Sequence, residues 1–272
     1  MDIIETRKHW YAYIYDQELT ETDDIDFLLD IIGKEPKNIL EACCRTGRIL
    51  VPIAKAGHKV TGFEIDEYVV ARISKKVIGM DNVKYFQLDA LVNNWGYNYD
   101  VVVLAGNVMM NIETDGDYEY AQKIFIKRAS DALKSGGHIY LDFDLHNSPE
   151  NIFGEPIIEE RVVFEGYDDK GIYGKYIICK GGSYDIATQM AYGKRKIELL
   201  LQNGEKDVYE YNSNKRIPKL IEVKEWLKAN NFEIEQEYGN RDKEPISTKT
   251  HRATIYAKNM NYKVRDVFRL TF

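Results

Sequence analysis

Apolar residues recur at helical spacing in DDIDFLLDII (residues 23–32), behind an acidic start that suits the positive end of a helix dipole. Gly33 closes that segment, as a C-cap glycine should. A short strand is predicted over Asn38–Glu41, followed by a turn and an amphipathic stretch from Ile49 to Ala56 that Gly57 stops. Lys59–Glu64 reads as a second strand, Glu67–Val77 as a helix and Val83–Leu88 as a third strand. The run DVVVLA (Asp100–Ala105) is continuous, apolar and β-branched, which marks a strand buried on both faces. Residues 119–133 continue as helix, Ser135-Gly136-Gly137 as a turn, and His138–Phe143 as a further buried strand.

Strands alternating with helices over residues 38–143 imply right-handed crossovers. The expected class is therefore α/β: a doubly wound, mostly parallel sheet with helices on both faces. The pattern changes after Pro149. Segments 157–165, 172–180, 184–192 and 194–201, continued by Glu205–Lys215, are β-rich and separated by glycine-containing turns. They predict an antiparallel β-rich insertion after the fifth strand. A helix over 219–229 and strands near 232–238 and 252–258 then complete the main sheet. The organisation expected is a core with an N-terminal helical cover over 1–149, an insertion over 150–215 that acts as a lid or dimer contact, and the closing elements over 216–272. Within the last part, Asn259–Phe272 lies beyond the final strand, as a docked tail or interface element.

Composition adds little to this picture and removes several alternatives. The 272 residues are 44% hydrophobic and 30% charged, ordinary for a globular enzyme, but the 20 tyrosines stand out. A tyrosine buries a ring while keeping a polar handle, so the excess favours a cavity or an interface. The net charge of −7 and the lack of a Lys/Arg run argue against nucleic acid as a partner. Three cysteines, two of them adjacent, give neither a disulfide framework nor a metal-ligand spacing. No apolar signal core opens the chain and no run reaches membrane-spanning length, so a cytoplasmic protein without membrane attachment is expected. A small molecule is the default partner, and the β-rich part leaves room for a homodimer.

Ligands of doubly wound sheets sit at the carboxyl ends of the strands, where strand order reverses. The first strand ends at Glu41, and the loop 42–48 feeds a helix, so backbone N–H groups there can approach a cofactor. Glu64, at the end of the second strand, is placed to accept the two hydroxyls of a ribose. Asp89, after the third strand, falls near an adenine edge or caps the following turn. The fourth strand ends at Ala105-Gly106-Asn107, where a glycine permits close approach to a reacting centre.

The stretch NILEACCRTGRILVPIAKAGHKVTGFEID resembles the first motif and second strand of class I S-adenosylmethionine-dependent methyltransferases. VKYFQLDA, YDVVVLAGNVMMNI, ALKSGGHIYLDF and the closing RIPKLIEVKEWLKANNFEIEQEYGN with HRATIYAKN resemble later segments of that family, in order, over most of residues 1–259. The fourth-strand segment is similar to that of small-molecule N-methyltransferases. The resemblance implies S-adenosylmethionine as cofactor, S-adenosylhomocysteine as product and a small-molecule acceptor methylated at nitrogen rather than oxygen. It implies that Glu41 lies near the methionine end of the cofactor, with Cys43 and Gly47 in the loop, Glu64 at the ribose hydroxyls and Ile65 among the cofactor-binding residues. Asp89 and Ala90 would hold the adenine, and Ala105 and Asn107 would line the methyl-transfer face. The helix bearing YAYIYD would cover the cofactor, with Tyr11 and Tyr15 on one face and Tyr15 next to the reaction. His146, in DFDLHNS, is the best-placed proton acceptor, with a structural loop histidine as its rival reading.

Two positions depart from the family's loop: Cys43 and Arg45 stand where glycines are usual. Either the Arg45 guanidinium turns away, toward an acidic neighbour or the cofactor carboxylate, or the loop is impaired and the chain is a methyltransferase-like binding protein. A nicotinamide-dependent oxidoreductase is disfavoured, because the loop lacks the Gly-x-Gly-x-x-Gly spacing. Arg216 and Arg252 either fix an anionic group or sit in ion pairs, and Cys43 and Cys44 lack a histidine partner for nucleophilic work.

Overall fold

The computed structural model describes residues 2–154 and 160–261, the side chains at 180 and 181 apart. Its core is a seven-stranded sheet. The strands are β1 (Asn38–Ala42), β2 (Lys59–Glu64), β3 (Val83–Gln87), β4 (Tyr99–Leu104), β5 (Leu133–Asp144), β10 (Phe232–Tyr238) and β11 (Arg252–Asn259). Their order is β10-β11-β5-β4-β1-β2-β3. β1 pairs in parallel with β2 on one side and β4 on the other, so the strand order reverses at β1. Only β11 runs against its neighbours. The alternating pattern over 38–143 therefore gives the doubly wound sheet it predicts.

Helices cover both faces of this sheet. On one face, α5 (Tyr118–Ala132) and α7 (Leu220–Ala229) bury Phe125, Ile126, Ala129, Val223 and Leu227 against Val102, Leu104, Ile139 and Leu141. On the other, α2 (Asp23–Ile32) and α3 (Leu50–Lys55) pack Leu28, Ile32, Leu50 and Ile53 onto Ile39, Val60, Val101 and Val103. Strands buried from both sides need apolar side chains in both directions, which is why Val101–Leu104 of β4 read as an unbroken apolar run. The helix expected over Glu67–Val77 is shorter, with α4 (Glu67–Ala71) tightening into a 3-10 turn at Arg72–Lys75. Ser135-Gly136-Gly137 lies inside β5, not in a separate turn. A β-carbon at Gly137 would stand 3.0 Å from the Tyr99 carbonyl oxygen, so the glycine serves a close strand approach.

After α6 (Pro149–Phe153) come β6 (Glu160–Tyr167), β7 (Tyr173–Asp185), β8 (Met190–Leu200) and β9 (Lys206–Arg216). They form an antiparallel four-stranded sheet in chain order. The sequence pattern puts a turn near Gly181-Gly182, whereas the structure absorbs those residues into a β7 irregularity between Cys179 and Ser183. The turn falls at Ile186–Gln189, where Asp185 Oδ1 accepts the Ala187 N–H at 2.9 Å. Residues 157–159 of the first predicted β segment and residues 262–272 of the expected tail lie outside the described residues.

The N-terminal helix packs against both the antiparallel sheet and the core. α1 (Ile3–Glu18) inserts Trp10, with no exposed surface, between Ile14 and Leu199, and its indole N–H donates to the Gly166 carbonyl at 3.1 Å. Gly174 makes room for it, because a β-carbon there would overlap the indole ring. Arg7 forks onto Asp207 of β9 at 2.5 and 2.6 Å, while Asp16 at the other end of the helix pairs with Arg72 and Lys76 of the core. Helix α1 has no clean apolar stripe. Its buried positions are Thr6, Trp10, Ala12 and Ile14, because it is gripped on more than one side.

Candidate active site

The loop after β1 is built around three left-handed residues. Cys43 has φ 56°, Arg45 φ 50° and Gly47 φ 79°. All three motif positions thus keep a conformation that glycine adopts freely, although two carry side chains. The loop is pinned from strand β2: the Cys44 N–H donates to the Phe63 carbonyl at 2.9 Å, and the Arg45 N–H to Glu64 Oε2 at 3.2 Å. Space for Cys44 comes from Gly62 on β2, where a β-carbon would sit 2.8 Å from the Cys44 sulfur and closer still to Leu50. Burial pushes both neighbouring thiols, Cys43 and Cys44, above their ordinary range, so neither is a poised nucleophile.

Two carboxylates face this loop. Glu41 is 4% exposed, and its Oε2 has no hydrogen-bond partner. Burial lifts its pKa to about 8, with Arg48 opposing and Glu64 and Asp24 adding to the rise. Glu64 is 3% exposed and well served: its Oε1 accepts the N–H groups of Ile65 (2.9 Å) and Asp66 (3.2 Å). A carboxylate has about four lone-pair sites, so Glu64 retains capacity for hydroxyl donors. Ile65, next in the chain, is 59% exposed at the mouth of β2.

The Arg45 side chain turns to the tyrosines of α1, not to an acidic neighbour. Its guanidinium donates to the Tyr11 hydroxyl at 3.1 Å and lies 4.5 Å from the Tyr15 ring centre. Tyr11 and Tyr15 share a helix face, with ring centres 6.0 Å apart, and continue to Tyr176 and Phe164 of the antiparallel sheet. Arg45 thereby ties the N-terminal helix to the loop, beside Lys76, which donates to Asp16 of α1 and to the Thr46 carbonyl at 2.8 Å, a role for Arg45 that no local pattern announced.

Around the ends of β4 and β5 the polar groups are interlocked. Asn107, itself left-handed at φ 64°, donates from its amide to Asp144 and accepts the Asp144 N–H at 2.6 Å. The Gly106 N–H donates to Asp142 at 2.9 Å, and Arg252 joins both aspartates, reaching Asp144 at 2.8 Å. Arg252 and Arg216 are both in ion pairs. Arg216 is buried against Gln122 (2.9 Å) and Glu222 (2.7 Å). Asp89 caps its own turn, accepting the Leu91 N–H at 2.8 Å, and the Ala90 carbonyl accepts the Trp95 indole N–H at 2.9 Å. Ala105 is half-buried beside this network.

His146 is half-buried, with Phe153 edge-on at 5.1 Å and its Nε2 without a partner. Burial holds its pKa below the usual histidine value. Lys215, near the end of β9, was not singled out by its sequence context. It bonds to the Asn111 side chain, and burial, helped by Arg195, brings its pKa down to about 8. Past Asn111 an open cleft of about 600 Å³ runs between residues 113–118 and β9, lined by Glu113, Thr114, Asp115, Tyr118, Asn212 and Asn214. Only the fold places β9 there, so the lysine's neighbourhood was not legible beforehand.

With this geometry in hand, comparisons with known proteins agree along the core. Residues 39–137 match the family described as methyltransferase domain. A Bacillus subtilis protein named as methyltransferase YqeM is 23% identical over 212 residues, covering 71% of this chain and 83% of its own. Among solved structures, an S-adenosylmethionine-dependent methyltransferase from Clostridium acetobutylicum superposes with TM-score 0.67 at 15% identity, over 94% of this chain and 99% of that one. The sugar N-methyltransferase KedS8 from Streptoalloteichus gives 0.64 at 13% identity, over 89% and 88%. Among the described residues, no helix is long and apolar enough to cross a membrane.

Proposed function

We propose that residues 39–137, which match the family described as methyltransferase domain and share the fold of an S-adenosylmethionine-dependent methyltransferase, form a class I S-adenosylmethionine-binding domain, and that the chain moves a methyl group to the nitrogen of a polar small molecule, leaving S-adenosylhomocysteine. The observation that carries the acceptor class is the open, mostly polar cleft of about 600 Å³ between residues 113–118 and β9. Small-molecule sites are roughly 300–1,000 Å³. Carboxylates at Glu113 and Asp115 attract a cationic amine, while Asn212, Ser213 and Asn214 offer partners for hydroxyls. The fold shared with a sugar N-methyltransferase and the AGNVMMNI segment point the same way.

Bound S-adenosylmethionine supplies an electrophilic methyl group on a sulfonium; the chain's residues do the rest. The partnerless, buried Oε2 of Glu41 fits the cofactor's ammonium, since a buried acceptor without a donor is costly. Glu64 would take the ribose hydroxyls and the exposed Ile65 the apolar face of the base, with Asp89 and Ala90 at its edge. Ala105 and Asn107 would face the transferred methyl, Asn107 held in place by Asp144. The acceptor amine reacts through its lone pair, so it has to shed a proton. His146, kept neutral by burial and with Nε2 free, would accept that proton. Tyr11 and Tyr15, drawn down by Arg45, would exclude water. Because Arg45 leaves the loop's glycine-like course intact, the features favour an active enzyme over an impaired one.

The test has two stages. Calorimetry with S-adenosylhomocysteine should give one site per chain; no heat and no thermal shift would sink the cofactor assignment. Isotope-labelled S-adenosylmethionine is then offered with panels of amino sugars, other polar amines and matched alcohols. Labelled N-methyl products are expected, and O-methyl products alone would overturn the nitrogen preference.

A further inference from the structure

The hairpin between β6 and β7 carries two consecutive aspartates, and α1 brings a histidine against them. His9 Nε2 lies 2.7 Å from Asp169 Oδ1 and 3.8 Å from Asp168 Oδ2. These three atoms all fall within 4.8 Å of one another.

Asp168 is the telling member. Its N–H donates to the Ile172 carbonyl at 3.0 Å, and its carbonyl accepts the Gly171 N–H at 3.1 Å, closing the hairpin. Its Oδ1 accepts two further N–H groups, from Lys170 at 3.0 Å and Ile172 at 2.9 Å. Those bonds hold the carboxylate rigidly and occupy one oxygen only. The other, Oδ2, belongs to a fully buried side chain, has no hydrogen-bond partner and faces His9. Turn capping accounts for Oδ1. It does not account for a desolvated anionic oxygen held beside an imidazole and a second carboxylate, because such an atom ordinarily has a partner.

A central cation provides one. Ligand atoms about 2.1 Å from an ion stand about 3 to 4 Å apart, so small side-chain movements would close this cluster around it. One imidazole nitrogen with two carboxylate oxygens is a borderline-hard donor set, suited to zinc or manganese. The two carboxylates balance a dication. Arg72, which also faces Asp169, is engaged with Asp16 at 3.4 Å and lies over the Tyr13 ring.

We propose that His9, Asp168 and Asp169 form a binding site for a divalent transition-metal ion that clasps the N-terminal helix to the β6–β7 hairpin. The ion would bind at His9, nearer the N-terminus of α1 than Tyr11 and Tyr15 and next to the indole anchor of Trp10 on Gly166. Water would fill the remaining coordination positions, since the cluster supplies three protein donors.

Full-length protein stripped with a chelator is titrated with Mn²⁺ and with Zn²⁺ in a calorimeter, and Co²⁺ is used for absorbance. One ion per chain is expected, with affinity lowered about tenfold or more in Asp168→Asn and in His9→Gln. Saturating metal should raise the melting temperature of the unmodified protein and of neither variant. Asp168→Asn keeps an oxygen for the turn, and His9→Gln leaves the hairpin untouched, so the second decides if the first misfolds. The cobalt form should lack a thiolate charge-transfer band, because Cys43, Cys44 and Cys179 are the competing donors. No binding at millimolar metal, undiminished binding in both variants, or a thiolate band would each overturn the proposal.

Discussion

Replacing Arg45 with glycine restores the usual loop residue and tests what the arginine does. A left-handed backbone costs an ordinary residue about 1–2 kcal/mol, so Arg45→Gly relieves strain at φ 50°. Glycine returns about 0.5–1 kcal/mol of that through its greater freedom in the unfolded chain. Against the small remainder stand two lost contacts. A guanidinium over a desolvated ring is worth about 1–2 kcal/mol, and the Tyr15 ring centre is 4.5 Å away. A hydrogen bond from a charged donor, here to the Tyr11 hydroxyl at 3.1 Å, adds about 1.5–3 kcal/mol before the relief of burying the cation is counted. The balance is a destabilisation of about 2 kcal/mol. At about 2–4 °C per kcal/mol for a chain of this size, the melting temperature should fall by about 4–8 °C in a calorimetric scan. Adding Tyr15→Leu to the glycine variant should cost less than adding it to the unmodified protein, since the two residues share one contact. Affinity for S-adenosylhomocysteine should fall with the loosened helix. An unchanged or higher melting temperature would refute this account, and a large gain in affinity would show that Arg45 obstructs the loop.

Two further outcomes follow from the same site. Glu41 has a folded pKa of about 8, above its ordinary 4.5, so the folded protein keeps a proton that the unfolded chain has released between those values. Its contribution to stability therefore falls as pH rises through that window. An ammonium bound at Glu41 would expel the proton, so affinity for S-adenosylhomocysteine should rise toward pH 8, by at most about tenfold per pH unit. Glu41→Gln should lose that slope while the ligand's own titration persists; equal slopes in calorimetry would place the ammonium elsewhere. Gly62→Ala puts a methyl 2.8 Å from the Cys44 sulfur and nearer still to Leu50. Overpacking of this kind costs about 1–3 kcal/mol, visible as a melting temperature lower by several degrees, and no change would mean that the loop is not seated on β2.

Much of the core was legible because its signals are local. Residues 101–105 are apolar on both strand faces, Gly33 follows a periodic helix, and Glu41 and Glu64 fall among the last residues of strands of predictable length, so the doubly wound sheet and its switch point follow from pattern alone. The antiparallel sheet was legible in kind and not in register, since Gly181-Gly182 reads as a turn until β8 is laid beside it.

The loop's chemistry was legible only in part. Cys43 and Arg45 stand out as missing glycines, but a sequence does not show that both retain positive φ, nor that Arg45 is drawn off by tyrosines 34 and 30 residues earlier. Helix α1 was opaque for a related reason. Its buried residues answer to the antiparallel sheet and the core loop together, so no single stripe of period 3.6 records them. Lys215 and the His9–Asp168–Asp169 cluster belong to the same class, since their partners are 104 and about 160 residues distant. The chain by itself therefore determined the sheet and the placing of Glu41 and Glu64 at the carboxyl ends of β1 and β2, where each position is set by its own strand. The surroundings of Lys215 and the packing of helix α1 over the loop were decided by tertiary structure, because burial and charge there are supplied by neighbours that only folding brings into contact.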